Sequence, residues 1–403
     1  MFWNPAIIGA VNSNQFESNL TLLGGWLIYD RQGTDPNTGA GFGSSAAFGL
    51  APNLFLAAVS PLGTENFRFA YGTYLPSGLM ADFDEEGSQH YDLINGMLIP
   101  WHHQFTAAWK ATPELTLAVS GIGSIAFFRT ELDVDMGNLM RTVLNSKDIP
   151  SEHPALEGRA KVPLAWTPGF GAAAGIYWRP SYQISAGFSI FSPITYSFSG
   201  KLKLRTPEMA SLVGAGLPAL GIDDTIENGI EANSSLPAFA QMGVRYQPFG
   251  YWIQEYFGRY TISSLERSLS IQVKESPIQE LQNLNIDGEP LNDSFLLATT
   301  QTFPLWQRLT PGLYFSYYKN SAKERYLAVS RVDFDSLMAG TFVKYQWGRS
   351  LQLGLEYAHT FIFERSPSET MKSHTSRFFE SPPSAGNYRA GFDRAGLTVK
   401  YAF

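Results

Sequence analysis

The 403-residue sequence contains no cysteine. Disulfide frameworks, thiolate catalysis and cysteine zinc sites are therefore excluded. Charge is also scarce: Asp, Glu, Lys and Arg together make 16% of the chain, against about 25% in an average soluble domain. A disordered chain would show high charge and few aromatics, whereas aromatic residues reach 14% here. The formal net charge is −7 with a pI near 5.5, which argues against a nucleic-acid partner. No apolar run approaches the roughly 18 residues of a transmembrane helix. The mean hydropathy of −0.11 is still compatible with a membrane β-barrel, whose alternating strands average near zero. No cofactor or metal site is implied.

What the sequence does have is a period of two. Leu351, Leu353, Leu355 and Tyr357 alternate with Gln352, Gly354 and Glu356. Ala240, Met242, Val244 and Tyr246 alternate with Gln241, Gly243, Arg245 and Gln247. Phe170, Ile176 and Trp178 share a parity against Gly171 and Gly175, and Leu397, Val399, Tyr401 and Phe403 share one against Thr398 and Lys400. Large apolar residues form one face and small or polar residues the other. Aromatics gather near strand ends, where a membrane-interface girdle places them.

Fourteen such segments can be marked, at 15–29, 51–60, 65–76, 101–111, 114–130, 166–178, 182–204, 236–248, 250–266, 308–318, 323–333, 336–347, 350–365 and 387–403. The connections after every second segment are short: Pro61–Asn66, Thr112–Pro113, Arg179–Ser181, Pro248–Gly250, Lys319–Ala322 and Gly348–Ser350. Those between are mostly long. Short turns on one side and long loops on the other is the pattern of an outer-membrane barrel. The expected fold is all-β: a 14-stranded antiparallel transmembrane β-barrel. The long polar stretches lie between strand-like segments, so they do not divide the barrel (15–403) into domains.

The N-terminal Phe2-Trp3-Asn4-Pro5-Ala6 resembles the hatch of the FadL/TodX-type outer-membrane transporters of long-chain fatty acids and other hydrophobic compounds. Phe67–Tyr74 running into Leu75-Pro76-Ser77-Gly78-Leu79 is similar to that family's Pro-Phe-Gly-Leu element. Asn53–Val59, the closing Gly396–Phe403 and the strand count fit in order and spacing. The resemblance implies a Gram-negative outer-membrane channel with helical extracellular loops. A hydrophobic ligand would be captured in a groove between loops, pass to a site inside the barrel, and leave sideways where the third strand kinks. Family members carry an export signal and a longer segment before Asn-Pro-Ala. Only Met1–Trp3 precede it here, so residues 1–14 are expected to be a remnant of the hatch, or the chain to start late.

Site residues follow from that scheme. Asn4, Pro5 and Ala6 are assigned to the hatch and its gating. Pro76, which lacks a backbone donor, and Gly78, which tolerates unusual dihedrals, are assigned to a lateral opening. Met136, Leu139 and Met140, with Leu212, Val213 and Leu217, are the expected walls of the loop groove, methionine being suited to variable partners. Arg68, Lys110, Arg245, Lys344 and Lys400 fall on inward parities and are candidate contacts for a ligand carboxylate.

Three other readings compete, one of them a surface adhesin or receptor that would depend on loops such as 267–307. A general diffusion porin would line its pore with opposed charges, whereas inward positions here are rich in Gly, Ala and Ser. An outer-membrane enzyme would have to use Trp101-His102-His103 or another of the six histidines. Neighbouring residues of a strand face opposite ways, so His102 and His103 cannot share one site and are expected at a polar rim. No Ser/His/Asp arrangement stands out, and no enzymatic activity is expected. The expected partners are a hydrophobic small molecule and outer-membrane lipid. A closed barrel leaves no edge to pair, so a monomer is expected.

Overall fold

A computed structural model describes residues 4–137, 141, 148–205, 225–265, 269–275, 285–286, 290–367 and 384–403. Nineteen strand segments form one sheet, and every pairing in it is antiparallel. In chain order they are β1 (Gln15–Arg31), β2 (Ser44–Ser60), β3 (Phe67–Tyr74), β4 (Leu79–Asp82), β5 (Asn95–Lys110), β6 (Leu115–Asp135), β7 (Glu157–Trp178), β8 (Ile184–Phe191), β9 (Ile194–Arg205) and β10 (Thr225–Leu236). The chain continues through β11 (Phe239–Phe249), β12 (Trp252–Thr261), β13 (Ser270–Glu275), β14 (Asn285–Ile286), β15 (Ser294–Thr302), β16 (Leu309–Lys319), β17 (Ser336–Trp347), β18 (Leu351–Ile362) and β19 (Gly386–Ala402). Five staves are broken in two, namely β3/β4, β8/β9, β10/β11, β12/β13 and β14/β15, which leaves fourteen. β19 pairs with β1 along its whole length, from Gly386↔Arg31 to Ala402↔Gln15, and this closes the barrel. Closure removes the edge between the first and last staves, and in lipid an unpaired backbone group costs several kcal/mol.

Parity predicts the facing of the side chains correctly. Phe16, Trp109, Trp178, Tyr246, Tyr345 and Tyr401 point outward near the short turns, and Trp26, Trp101, Tyr260 and Phe361 point outward higher up the wall. Between them Leu20, Leu54, Val119, Phe170, Met242 and Leu355 are exposed on the outer surface. Gln104, Thr106, Ser120, Ser124, Ser189 and Gln241 are buried on the inner face. No helix among the described residues is long and apolar enough to cross a membrane.

The count of fourteen was reached from the sequence through two errors that cancel. Residues 323–333 are not a strand but two short 3-10 turns, Glu324–Tyr326 and Val329–Arg331. Leu327, Ala328 and Val329 there are almost fully buried under the barrel mouth, so their apolar character serves packing rather than a sheet face. The missing stave is β15, whose Phe295, Leu296, Leu297 and Ala298 are apolar on both faces and show no alternation. The short turn therefore lies at 303–308, not at Lys319–Ala322. Several walls are also taller than the periodicity indicates. β2 begins at Ser44, β5 at Asn95 and β7 at Glu157, and β6 runs on to Asp135.

Candidate transport path

The N-terminal segment docks against the inner wall at the short-turn end. Asn4 caps a 3-10 helix, Pro5–Ala10, its Oδ1 accepting from the Ala6 N–H at 2.9 Å. Pro5 stands at the first helical position, where its missing N–H costs nothing. The Asn4 Nδ2 donates to the Ile176 carbonyl at 2.9 Å. This approach requires glycine in the wall: a Cβ on Gly175 or Gly187 would lie 2.4 Å from an Asn4 side-chain atom. Ala6 and Ile8 are buried against Ala70, Ala108 and Ala118, with Val59 and Tyr177 alongside. Beyond the turn, the Arg68 Nε donates to the Val11 carbonyl at 2.5 Å, Lys110 to Asn12 Oδ1 at 3.1 Å, and Ser60 to Asn14 Oδ1 at 2.8 Å.

The five basic candidates share a position that parity alone did not reveal. All face inward, and all lie close to the short turns: Arg68 and Lys110 at strand ends, Arg245, Lys344 and Lys400 a few residues from theirs. Arg68 and Lys110 hold the hatch segment. Arg245 stands opposite Glu255, and Lys400 opposite Glu17. They form an inner rim at the short-turn end of the barrel.

Two arginines that sequence reasoning missed occupy the middle of the lumen. Arg259 of β12 donates to Gln241 Oε1 at 3.0 Å, and its guanidinium lies 4.5 Å from the centre of the Phe239 ring. Arg394 of β19 donates to the Tyr314 hydroxyl at 2.8 Å. The signal for Arg259 was present in the sequence, since it shares a parity with Phe257 and Thr261. Beside Arg259, Ile122, Phe128, Phe191, Tyr196, Phe198 and Ile230 make an apolar cluster on the inner face. The neighbouring polar groups satisfy one another. Tyr74 donates to Gln104 Oε1 at 2.7 Å, Gln104 Nε2 to Ser120 at 3.0 Å, and Ser124 and Tyr196 share a 2.8 Å bond. A wall of apolar groups and mutually bonded hydroxyls suits a ligand with little polarity.

His102 is not at a rim. It is buried on the inner face 3.4 Å from the Tyr196 hydroxyl, while His103 faces outward to the Tyr71 hydroxyl at 2.7 Å. The pair does stand on opposite faces.

The wall is interrupted at Pro76. β2 pairs with β1 from Ser44 to Val59 but with β3 only from Phe55 to Ser60. Tyr74 lies opposite His102 and Leu79 opposite Leu98 in β5, so four residues, 75–78, face three. Asn53 Nδ2 reaches across to the Leu75 carbonyl at 3.3 Å. Gly78 is not among the residues with positive φ. The break comes from the proline and the extra residue, not from a left-handed glycine.

At the other end, segments 83–94 and 320–335 close over the mouth. Phe83, Leu93, Leu327, Val329 and Phe334 pack with the inward Tyr29, Ala47, Tyr388 and Ala390. Asp333 and Asp335 shape the second segment, accepting from the Ser321 and Asn320 N–H groups at 2.9 Å each. Of the expected groove residues, Met136 is buried at the top of β6. Leu139, Met140, Leu212, Val213 and Leu217 lie outside the described residues. A cleft of about 490 Å³ is lined by Lys319, Lys323, Arg325 and Arg365. Lys319 is paired with Asp335 at 2.7 Å, and Arg365 binds the Ala322 and Asp333 carbonyls, so two of its cations serve the loop itself.

The closed fourteen-stave barrel, with its N-terminal segment docked inside, has the fold of the FadL-type channels. It is similar to a FadL homologue of Pseudomonas aeruginosa, with a TM-score of 0.83 at 15% identity over 99% of this chain and 93% of that one. The Pseudomonas putida toluene transporter TodX matches with a TM-score of 0.70 at 14% identity, over 99% and 92% of the two chains. The Ralstonia pickettii toluene transporter TbuX matches with 0.67 at 13% identity, over 100% and 92%. No family model and no curated protein matches the sequence.

Proposed function

We propose that the protein is an outer-membrane channel for passive uptake of long-chain fatty acids or similar hydrophobic compounds. The observation that carries this reading is the coincidence of a hatch docked in the lumen with an unpaired upper half of β2 beside the Pro76 break. In a porin neither feature has a use. Ligand would gather at apolar surface on the outer loops, with Met136, Leu139, Met140, Leu212, Val213 and Leu217 as the groove. It would then enter past Phe83 and Phe334, lodge against the Phe128–Phe198 cluster, and leave sideways between β2 and β3. Each CH₂ moved from water into such a site gains about 0.8 kcal/mol. A ligand carboxylate would meet Arg259 rather than the exit-rim cations, because a charge-assisted hydrogen bond is strongest where water is sparse. Asn4, Pro5 and Ala6 would act as the latch whose release opens the exit. No bond is made or broken in the ligand. Labelled oleate and toluene taken up by cells with and without the protein provide the test, and unchanged rates for both would refute the proposal.

A further inference from the structure

One group of side chains at the outer end of the β6–β7 wall has no part in that path. His90 comes from the 83–94 segment, Asp133 from the top of β6 and Glu157 from the start of β7, and one ligand atom from each lies within 4.8 Å of the others. The His90 Nδ1 is 2.6 Å from the Gly87 carbonyl. A carbonyl only accepts, so Nδ1 carries a proton, and in the neutral ring Nε2 is the nitrogen with the lone pair. That Nε2 is buried and faces Glu157 Oε1 at 3.3 Å.

The carboxylates are held from behind. Arg159 grips Asp133 through Nε–Oδ1 at 2.9 Å and Nη2–Oδ2 at 3.3 Å, and the Tyr91 hydroxyl donates to Glu157 Oε1 at 2.6 Å. Bonds of this kind orient metal-ligating carboxylates, as the Nδ1–carbonyl bond orients a ligating histidine. The local charge is unbalanced. Glu85, Glu131, Asp133, Asp135 and Glu157 stand against Arg159, Lys161 and Arg205, which faces Arg159 from β9, five negative charges to three positive with His90 neutral.

We propose that His90, Asp133 and Glu157 bind a divalent transition metal of the zinc class, which ties the 83–94 segment to the β6–β7 wall. One imidazole and two carboxylates form the mixed N/O set that such ions accept, whereas calcium takes oxygen alone. The 3.3 Å separation of Nε2 and Oε1 is the edge of a tetrahedron with bonds of about 2.0–2.1 Å. The three ligands leave a fourth position for water. The segment is already tethered on both sides of the site, where Asp133 N–H donates to the His90 carbonyl and Ile94 N–H to the Glu131 carbonyl, each at 2.8 Å. It also carries Phe83 and Leu93 into the apolar cover of the mouth, so the ion would steady that cover. Metal binding stands apart from the uptake reading, and its test does not depend on transport.

Chelator-treated full-length protein in detergent, titrated with zinc by calorimetry, should bind one equivalent saturably. His90→Ala and Glu157→Gln should each weaken binding by about 10- to 100-fold, while His103→Ala, on the lipid face, should not. Zinc should also slow cleavage by a glutamate-specific protease at Glu85 and Glu86 in the parent and not in Glu157→Gln. The second variant keeps the shape of the site, so a folding defect in the first does not spoil the test. Absence of saturable binding, or equal affinity in all three variants, would overturn the proposal and leave a histidine that serves Glu157 only as a proton donor.

Discussion

The two halves of β2 are treated differently by the fold. From Phe55 to Val59 the strand is paired on both sides, whereas Ser44–Leu54 have ladder partners only in β1. The lower half belongs to a closed wall and the upper half to an edge, within one strand of seventeen residues. An edge is expensive in lipid, where water cannot satisfy it. Its persistence is explained if something other than the neighbouring stave passes there. Pro76 and the extra residue of 75–78 keep β3 from climbing into register, so the edge is written into the sequence.

Removing this difference should have the largest effect. Deletion of Ser77 combined with Pro76→Val lets the third stave run on beside β2, and uptake of labelled oleate should fall at least tenfold, toward the rate of cells lacking the protein. Unaltered uptake by a correctly inserted variant would separate the break from release. The next effect concerns the closed half, which carries the hatch. Gly175→Val places methyl groups where Asn4 sits, 2.4 Å from the nearest approach of even a Cβ, and should displace the segment. Two hydrogen bonds worth about 1 kcal/mol each are lost with it. Planar-bilayer recordings should then show frequent openings that the parent lacks, and Asn4→Ala should show fewer, since capping alone is worth about 1 kcal/mol.

This division between wall and edge also shows what the sequence reveals. Parity placed lipid-facing and lumen-facing residues correctly because a barrel strand samples two solvents in alternation. It failed where a segment meets one environment on both sides. β15 has apolar residues on both faces and so shows no alternation, while the segment around Leu327–Val329, buried in the mouth, has a strand-like pattern without forming a strand. Pro76 could be read directly, since a residue without an N–H interrupts a ladder wherever it stands. The heights of Arg68, Lys110, Arg245, Lys344 and Lys400 could not, because height depends on register between strands far apart in the chain. The same holds for His90, Asp133 and Glu157, which three separate elements bring together.

The remaining predictions ask whether mid-lumen and exit-rim cations differ as sharply as the two halves of β2. Arg259→Gln removes the charge beside Phe239 while keeping a hydrogen-bonding side chain for Gln241. A charged hydrogen bond contributes about 1.5–3 kcal/mol, so binding of oleate by the purified barrel should weaken roughly tenfold or more. Toluene has no carboxylate, and its uptake should be unaffected. Equal losses for both ligands would mean that Arg259 supports the wall and does not read the headgroup.

The smallest effect is expected at the rim. Lys344 lies over the Phe342 ring with its nitrogen 4.9 Å from the centre, and Lys400 faces Glu17 across the β1–β19 ladder. Both are near the short turns, where water reaches them, and exposed ion pairs contribute only about 0–1 kcal/mol. Lys344→Ala and Lys400→Ala should each leave oleate affinity within about twofold of the parent, because a ligand leaving between β2 and β3 never descends to their level. A tenfold loss in either would place the carboxylate at the exit rim and would reverse the path, sending the ligand past the hatch and out through the short-turn end instead of through the wall.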